Sequence, residues 1–135
     1  MRDRVLVDTS AWVTFFRRKD RRLYDLVSAL LRAGEAVGAG LILLELVRGA
    51  KSSREVNVTT ELFRVLETVS PTETTYMDAG KMGYELARKG HTLGVVDLIL
   101  AQLALENDLS LLTLDQHFGT IAKKFPLKLI PPPQP

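Results

Sequence analysis

The sequence predicts an α/β fold, a short parallel sheet of about four to five strands flanked by helices. Two observations carry this. Short apolar runs alternate with longer segments of helical periodicity along the whole 135-residue chain. No hairpin signal such as Asn-Gly joins the runs, so successive strands are expected to connect through right-handed crossovers.

Residues 4–7 (RVLV) read as a short buried strand of β-branched and aliphatic type. Thr9 or Ser10 is expected to cap a helix through AWVTFF (11–16). RRKDRR (17–22) breaks the apolar pattern and reads as a solvated loop, with contact to an RNA backbone as the alternative. The pattern resumes in 23–34 with Leu23, Leu26, Val27, Leu30 and Leu31 at helical spacing and Gly34 as a stop. EAVGA (35–39) is a second strand, followed by a helix over LILLELVRGA (41–50) with Gly40 at its N-cap. Residues 52–69 read as a more polar helix whose inward side carries Val56, Leu62, Val65, Leu66 and Val69. Pro71 marks a turn, and 72–90 form a helix ended by Gly90. VVDLILAQLALENDL (95–109) is apolar almost all round, the mark of a helix buried on most sides. LSLLT (109–113) is a third strand, DQHFGTIAKKF (115–125) a short helix and LKLI (127–130) a fourth strand. PPPQP (131–135) is expected to be a flexible tail beyond a single domain of residues 1–130.

Composition narrows the function. At 46% hydrophobic and 25% charged residues the chain has the material for one globular core. The apolar stretch VGAGLILLELV (37–47) is too short to span a bilayer and contains Glu45. MRDRVLVD places an aspartate where a secretory leader needs an apolar centre, so no leader is expected. There is no cysteine, which removes disulfides, thiolate metal sites and cysteine nucleophiles and fits a reducing cytoplasm. Two histidines cannot make an all-histidine zinc site. His91 and His117 read as surface residues, although His117 follows Asp115 closely. Trp12, Phe15 and Phe16 stand at helical spacing and read as core or dimer-contact aromatics.

Four acidic residues resist a purely structural account. Asp8 and Asp115 follow strand ends, where open α/β sheets bind ligands; each also precedes a helix and fits a capping role. Asp97 stands in the first turn of the most apolar helix, with Leu93, Gly94, Leu100 and Ala101 as its helical neighbours and no cation among them. The helix dipole returns roughly 0.3–1 kcal/mol to it. Leaving a carboxylate buried and unpaired costs several times that. Glu45 interrupts an apolar helix, and a pairing with Arg48 three residues on contributes only about 0.2–0.5 kcal/mol. Gathered together, such carboxylates repel one another unless a cation joins them. Oxygen ligands without thiolate or imidazole select Mg²⁺, with Mn²⁺ as substitute, and the chemistry that follows is phosphodiester hydrolysis. Placing four of the 16 acids in one pocket leaves 12 against 18 Lys and Arg, an outer charge of about +6 that attracts a polyanion.

VDTSAW (7–12), LELVRGA (44–50), GVVDLILAQLA (94–104) and LLTLDQHF (111–118) together resemble the four acidic motifs of the PIN domain family, and in order and spacing its VapC-type toxins. The resemblance extends to about Ile130. It implies a three-layer sandwich and a Mg²⁺- or Mn²⁺-dependent endoribonuclease, the toxin of a toxin–antitoxin pair. The acids would be Asp8, Glu45 and Asp97, with Asp115 as the fourth, all as catalytic metal ligands. Thr9, Ser10 and Thr113 match the family's hydroxyls and would orient carboxylates or water, or serve only as caps and turns. Arg48 would face a phosphate or an antitoxin. Many relatives carry Ser or Thr where this chain has Gly40. The implied partners are an RNA substrate, a cognate antitoxin and a second copy of the chain, in the cytoplasm and without a membrane.

Two other readings compete. A phosphoacceptor-type regulatory module also gathers acids around Mg²⁺ at strand ends, but it needs a lysine at a later strand end, and LSLLT leads into Leu-Asp. A PIN fold that binds RNA or a partner without cutting is the other.

Overall fold

The computed structural model describes residues 3–131. Five strands, β1 (Val5–Val7), β2 (Ala36–Ala39), β3 (Glu67–Val69), β4 (Ser110–Leu112) and β5 (Lys128–Ile130), form one parallel sheet in the order β3-β2-β1-β4-β5. Seven helices accompany it among the described residues: α1 (Thr9–Arg17), α2 (Arg21–Ala33), α3 (Gly40–Arg48), α4 (Ser53–Val65), α5 (Glu73–Arg88), α6 (Val95–Glu106) and α7 (His117–Ala122). The α/β sandwich is the expected one.

The core is made by the runs that marked the strands. Leu6, Val7, Val37, Leu111 and Leu112 are fully buried, as parallel strands covered on both faces must be. Of α6, Leu98 through Ala101, Leu103 and Ala104 are buried, in keeping with its all-round apolar sequence. Leu23, Val27 and Leu30 form the inward stripe of α2, which stops at Gly34 in the left-handed conformation (φ 69°). Trp12 is buried, stacked on Phe16 and tilted against Phe63 with ring centroids 5.7 Å apart in each case.

The structure corrects the reading of residues 52–69. The helix ends at Val65 and an edge strand, β3, occupies Glu67–Val69. Leu66 already has extended backbone (ψ 147°), and Pro71 disfavours helix in the residue before it. Of the expected inward residues Val69 is buried and Leu62 and Leu66 pack against the core, while Val65 is exposed; the buried residues of the helix are Thr59 and Phe63. Two caps also differ. Asp8 takes the N-cap position of α1, with Thr9 and Ser10 inside the helix, and Ala39 takes that of α3, with Gly40 as its first residue. Of the expected tail, only Pro131 falls within the described residues.

The strand order places the site. From β1 the chain moves outward through β2 to β3, then returns through α5 and α6 to lay β4 on the other side of β1. The order reverses between β1 and β4, and beyond the carboxyl ends of these two strands an open sheet leaves a crevice.

Candidate metal centre

Asp8 leaves β1 and Asp115 follows β4, so both open onto this crevice. Asp97 enters from the first turn of α6 and Glu45 from the middle of α3.

Asp8 is buried and stands at a helix N-cap, yet its side chain makes no capping hydrogen bond. Its Oδ2 accepts instead from Thr113 Oγ1 at 2.7 Å and Ser10 Oγ at 3.1 Å. The two hydroxyls tie the strand ends together, since Thr113 Oγ1 accepts from the Asp115 amide at 3.0 Å and Ser10 Oγ from the Leu114 amide at 3.0 Å. Thr9 Oγ1 donates to Glu45 Oε1 at 2.7 Å and joins α1 to α3. The three hydroxyls therefore hold two of the acids from one side.

Asp115 accepts from the His117 amide at 2.9 Å. The His117 ring then lies over the acids, with Nδ1 3.2 Å from Asp115 Oδ1 and 3.7 Å from Asp97 Oδ2. One donor atom from each of Asp97, Asp115 and His117 falls within 4.8 Å of the others. Asp8 and Glu45 stand outside that tight group but act on it through their charge. Burial pushes the Asp97 carboxyl above the usual carboxylate value, the charges of Asp115, Asp8 and Glu45 push it further, and His117 opposes them. Burial likewise raises Asp8, helped by Glu45, and the hydrogen bonds from Thr113, the Thr9 amide and Ser10 offset only part of this. Four carboxylates thus share one field.

Arg48 lies exposed, and among the described residues no carboxylate is within ion-pairing distance of it, so the Glu45–Arg48 pair that the spacing allowed is not formed. His117 reads from sequence as a surface histidine close behind Asp115. It is 69% exposed, and it also borders the acids. The available signal was its place two residues after Asp115 at the start of a helix.

The sequence matches the PIN domain family over residues 5–124. The chain belongs to the PIN domain family. Its structure is similar to that of VapBC from Salmonella typhimurium in complex with DNA, at 22% identity and a TM-score of 0.78, covering 95% of this chain and 97% of the other. It is also similar to VapBC2 from Rickettsia felis bound to a promoter fragment, at 22% identity and a TM-score of 0.75, covering 93% and 96% of the two chains. A third neighbour is Mycobacterium tuberculosis VapC20, a sarcin-ricin loop cleaving toxin, at 16% identity and a TM-score of 0.66, covering 90% and 95%. No curated protein matches by sequence.

The residues of this PIN domain fit a hard divalent cation. The cluster is carboxylate oxygen with one imidazole and no thiolate, and Asp97 carries a repulsion that a cation would relieve. Among the described residues no helix is long and apolar enough to cross a membrane.

Proposed function

We propose that this PIN domain is a Mg²⁺- or Mn²⁺-dependent endoribonuclease and the toxin of a toxin–antitoxin pair. The observation that carries the reading is the convergence of four acids from four segments on the β1–β4 crevice, where hydroxyls hold Asp8 and Glu45, and burial together with the neighbouring carboxylates raises the pKa of Asp8 and Asp97. A fold built only for stability gains nothing from that arrangement. Asp8, Glu45, Asp97 and Asp115 would hold the ion. When bound, a divalent cation supplies an activated water and stabilises charge developing on the phosphodiester.

The chain's own part is orientation. Ser10 and Thr113 hold Asp8 by one oxygen, and Thr9 fixes Glu45 by Oε1. The basic excess outside the cluster draws the RNA backbone towards an acidic centre that would otherwise repel it. The antitoxin partner is supported by the fold neighbours that are VapBC complexes. A homodimer is supported by Tyr76, Met77 and Tyr84 of α5 and Val95 of α6, all more than half exposed. The reading also places the protein in the cytoplasm.

Asp97→Asn tests the chemistry. It keeps the shape of the side chain and removes its charge, so the variant should fold, lose metal-stimulated RNA cleavage and no longer arrest growth. A folded variant that cuts RNA as fast as the parent chain refutes the assignment.

A further inference from the structure

We propose that His117 is a metal ligand, its Nδ1 joining Asp97 and Asp115 on one ion, so that the centre selects Mn²⁺ over Mg²⁺. The proposal rests on the metal-centre reading above and adds a nitrogen donor to an otherwise all-oxygen set.

Six-coordinate ions with bonds of about 2.1 Å set neighbouring donors about 3.0 Å apart. His117 Nδ1 stands 3.2 Å from an oxygen of Asp115 and 3.7 Å from one of Asp97, and all three donors fall inside 4.8 Å. A small inward adjustment of an exposed ring reaches ligand spacing. The backbone prepares this arrangement, because the His117 amide donates to Asp115 and makes the acid and the histidine one turn. The following residue, Phe118, is fully buried with Ile121 and anchors α7, so the start of the helix is held where the ring reaches the acids.

A packing role does not explain the ring. His117 is 69% exposed, and its side-chain neighbours among the described polar groups are the two carboxylates. Exposure also suits ligation, since Nε2 can keep its proton in water while Nδ1 offers a lone pair. The chemical consequence is selectivity. Imidazole nitrogen adds little affinity for Mg²⁺, which prefers oxygen, and more for the first-row ions from Mn²⁺ onward.

The test uses the full-length, untagged chain loaded with Mn²⁺ and pulsed electron paramagnetic resonance. The parent protein should show modulation from directly bound ¹⁴N, replaced by the ¹⁵N pattern when histidine is labelled. His91→Gln should keep the signal and His117→Gln should lose it. Titration calorimetry should find His117→Gln about tenfold or more weaker for Mn²⁺ and nearly unchanged for Mg²⁺. Mn²⁺ bound to the parent chain without a nitrogen signal overturns the ligand assignment alone, as does an equal loss of both metals in the variant. A parent chain that binds no Mn²⁺ overturns the metal centre and His117 with it. Should His117→Gln fail to fold, labelled histidine in the parent chain and in His91→Gln still decides the matter.

Discussion

Replacing Thr113 with valine removes one hydroxyl and almost no volume, and its cost should depend on pH. Thr113 is buried, donates to Asp8 at 2.7 Å and accepts from the Asp115 amide at 3.0 Å. A hydrogen bond to a charged group contributes about 1.5–3 kcal/mol, and one between neutral groups about 0.5–1.5 kcal/mol. Asp8 has a folded pKa raised above its ordinary value of 3.8, so just above 3.8 the native state binds more protons than the unfolded chain and stability falls as pH rises. Thr113 supplies the largest influence in the opposite direction, and valine therefore lifts the folded pKa further and steepens the fall. Urea unfolding of metal-free protein should show a deficit of about 1.5–3 kcal/mol near neutral pH. The deficit should shrink to about 0.5–1.5 kcal/mol once Asp8 is protonated in both proteins. A deficit that stays constant from acid to neutral pH would falsify the charge-assisted bond.

Other expectations follow from the same geometry. Metal must displace protons from Asp8 and Asp97, whose pKa values are both raised, so calorimetry should find weaker Mg²⁺ binding and larger proton release at about pH 5 than at about pH 7.5; pH-independent affinity contradicts this. Gly38 sits where a Cβ would lie 2.8 Å from the Phe63 ring, so Gly38→Ala should cost about 1–3 kcal/mol in chemical denaturation. An unchanged midpoint means that the ring moves freely. The proposed homodimer predicts that Tyr84→Arg with Val95→Asp, which places charge on exposed apolar residues of α5 and α6, halves the mass seen by light scattering. A dimer that survives the double substitution uses another face.

The residues that announced the site were those whose chemistry clashed with their surroundings. Asp97 in an apolar helix was legible because it has no local partner in sequence, and Asp8, which by itself fits a helix cap, became legible as its companion at a strand end. The hydroxyls were legible through resemblance alone, since Thr9, Ser10 and Thr113 also suit ordinary caps and turns. The edge strand β3 escaped because Glu67 and Thr68 face solvent and only Val69 is buried, which leaves no apolar run to detect. His117 escaped for a different reason. Its contact with Asp97 depends on how the first turn of α7 folds back over the start of α6, and that is tertiary geometry that no local pattern encodes.

The Thr113–Asp8 hydrogen bond joins residues 105 apart, and β4 can pair with β1 only after β2, β3 and the returning helices have been made. Chains emerge from the ribosome N-terminus first, over about 7–27 s for a domain of this size. Once α6 has been made, Asp8, Glu45 and Asp97 all exist, but the β4 wall that holds Asp8 and supplies Asp115 does not. A translating ribosome therefore carries a chain that still lacks Thr113 and Asp115, and the four-acid crevice is complete only when synthesis is nearly finished.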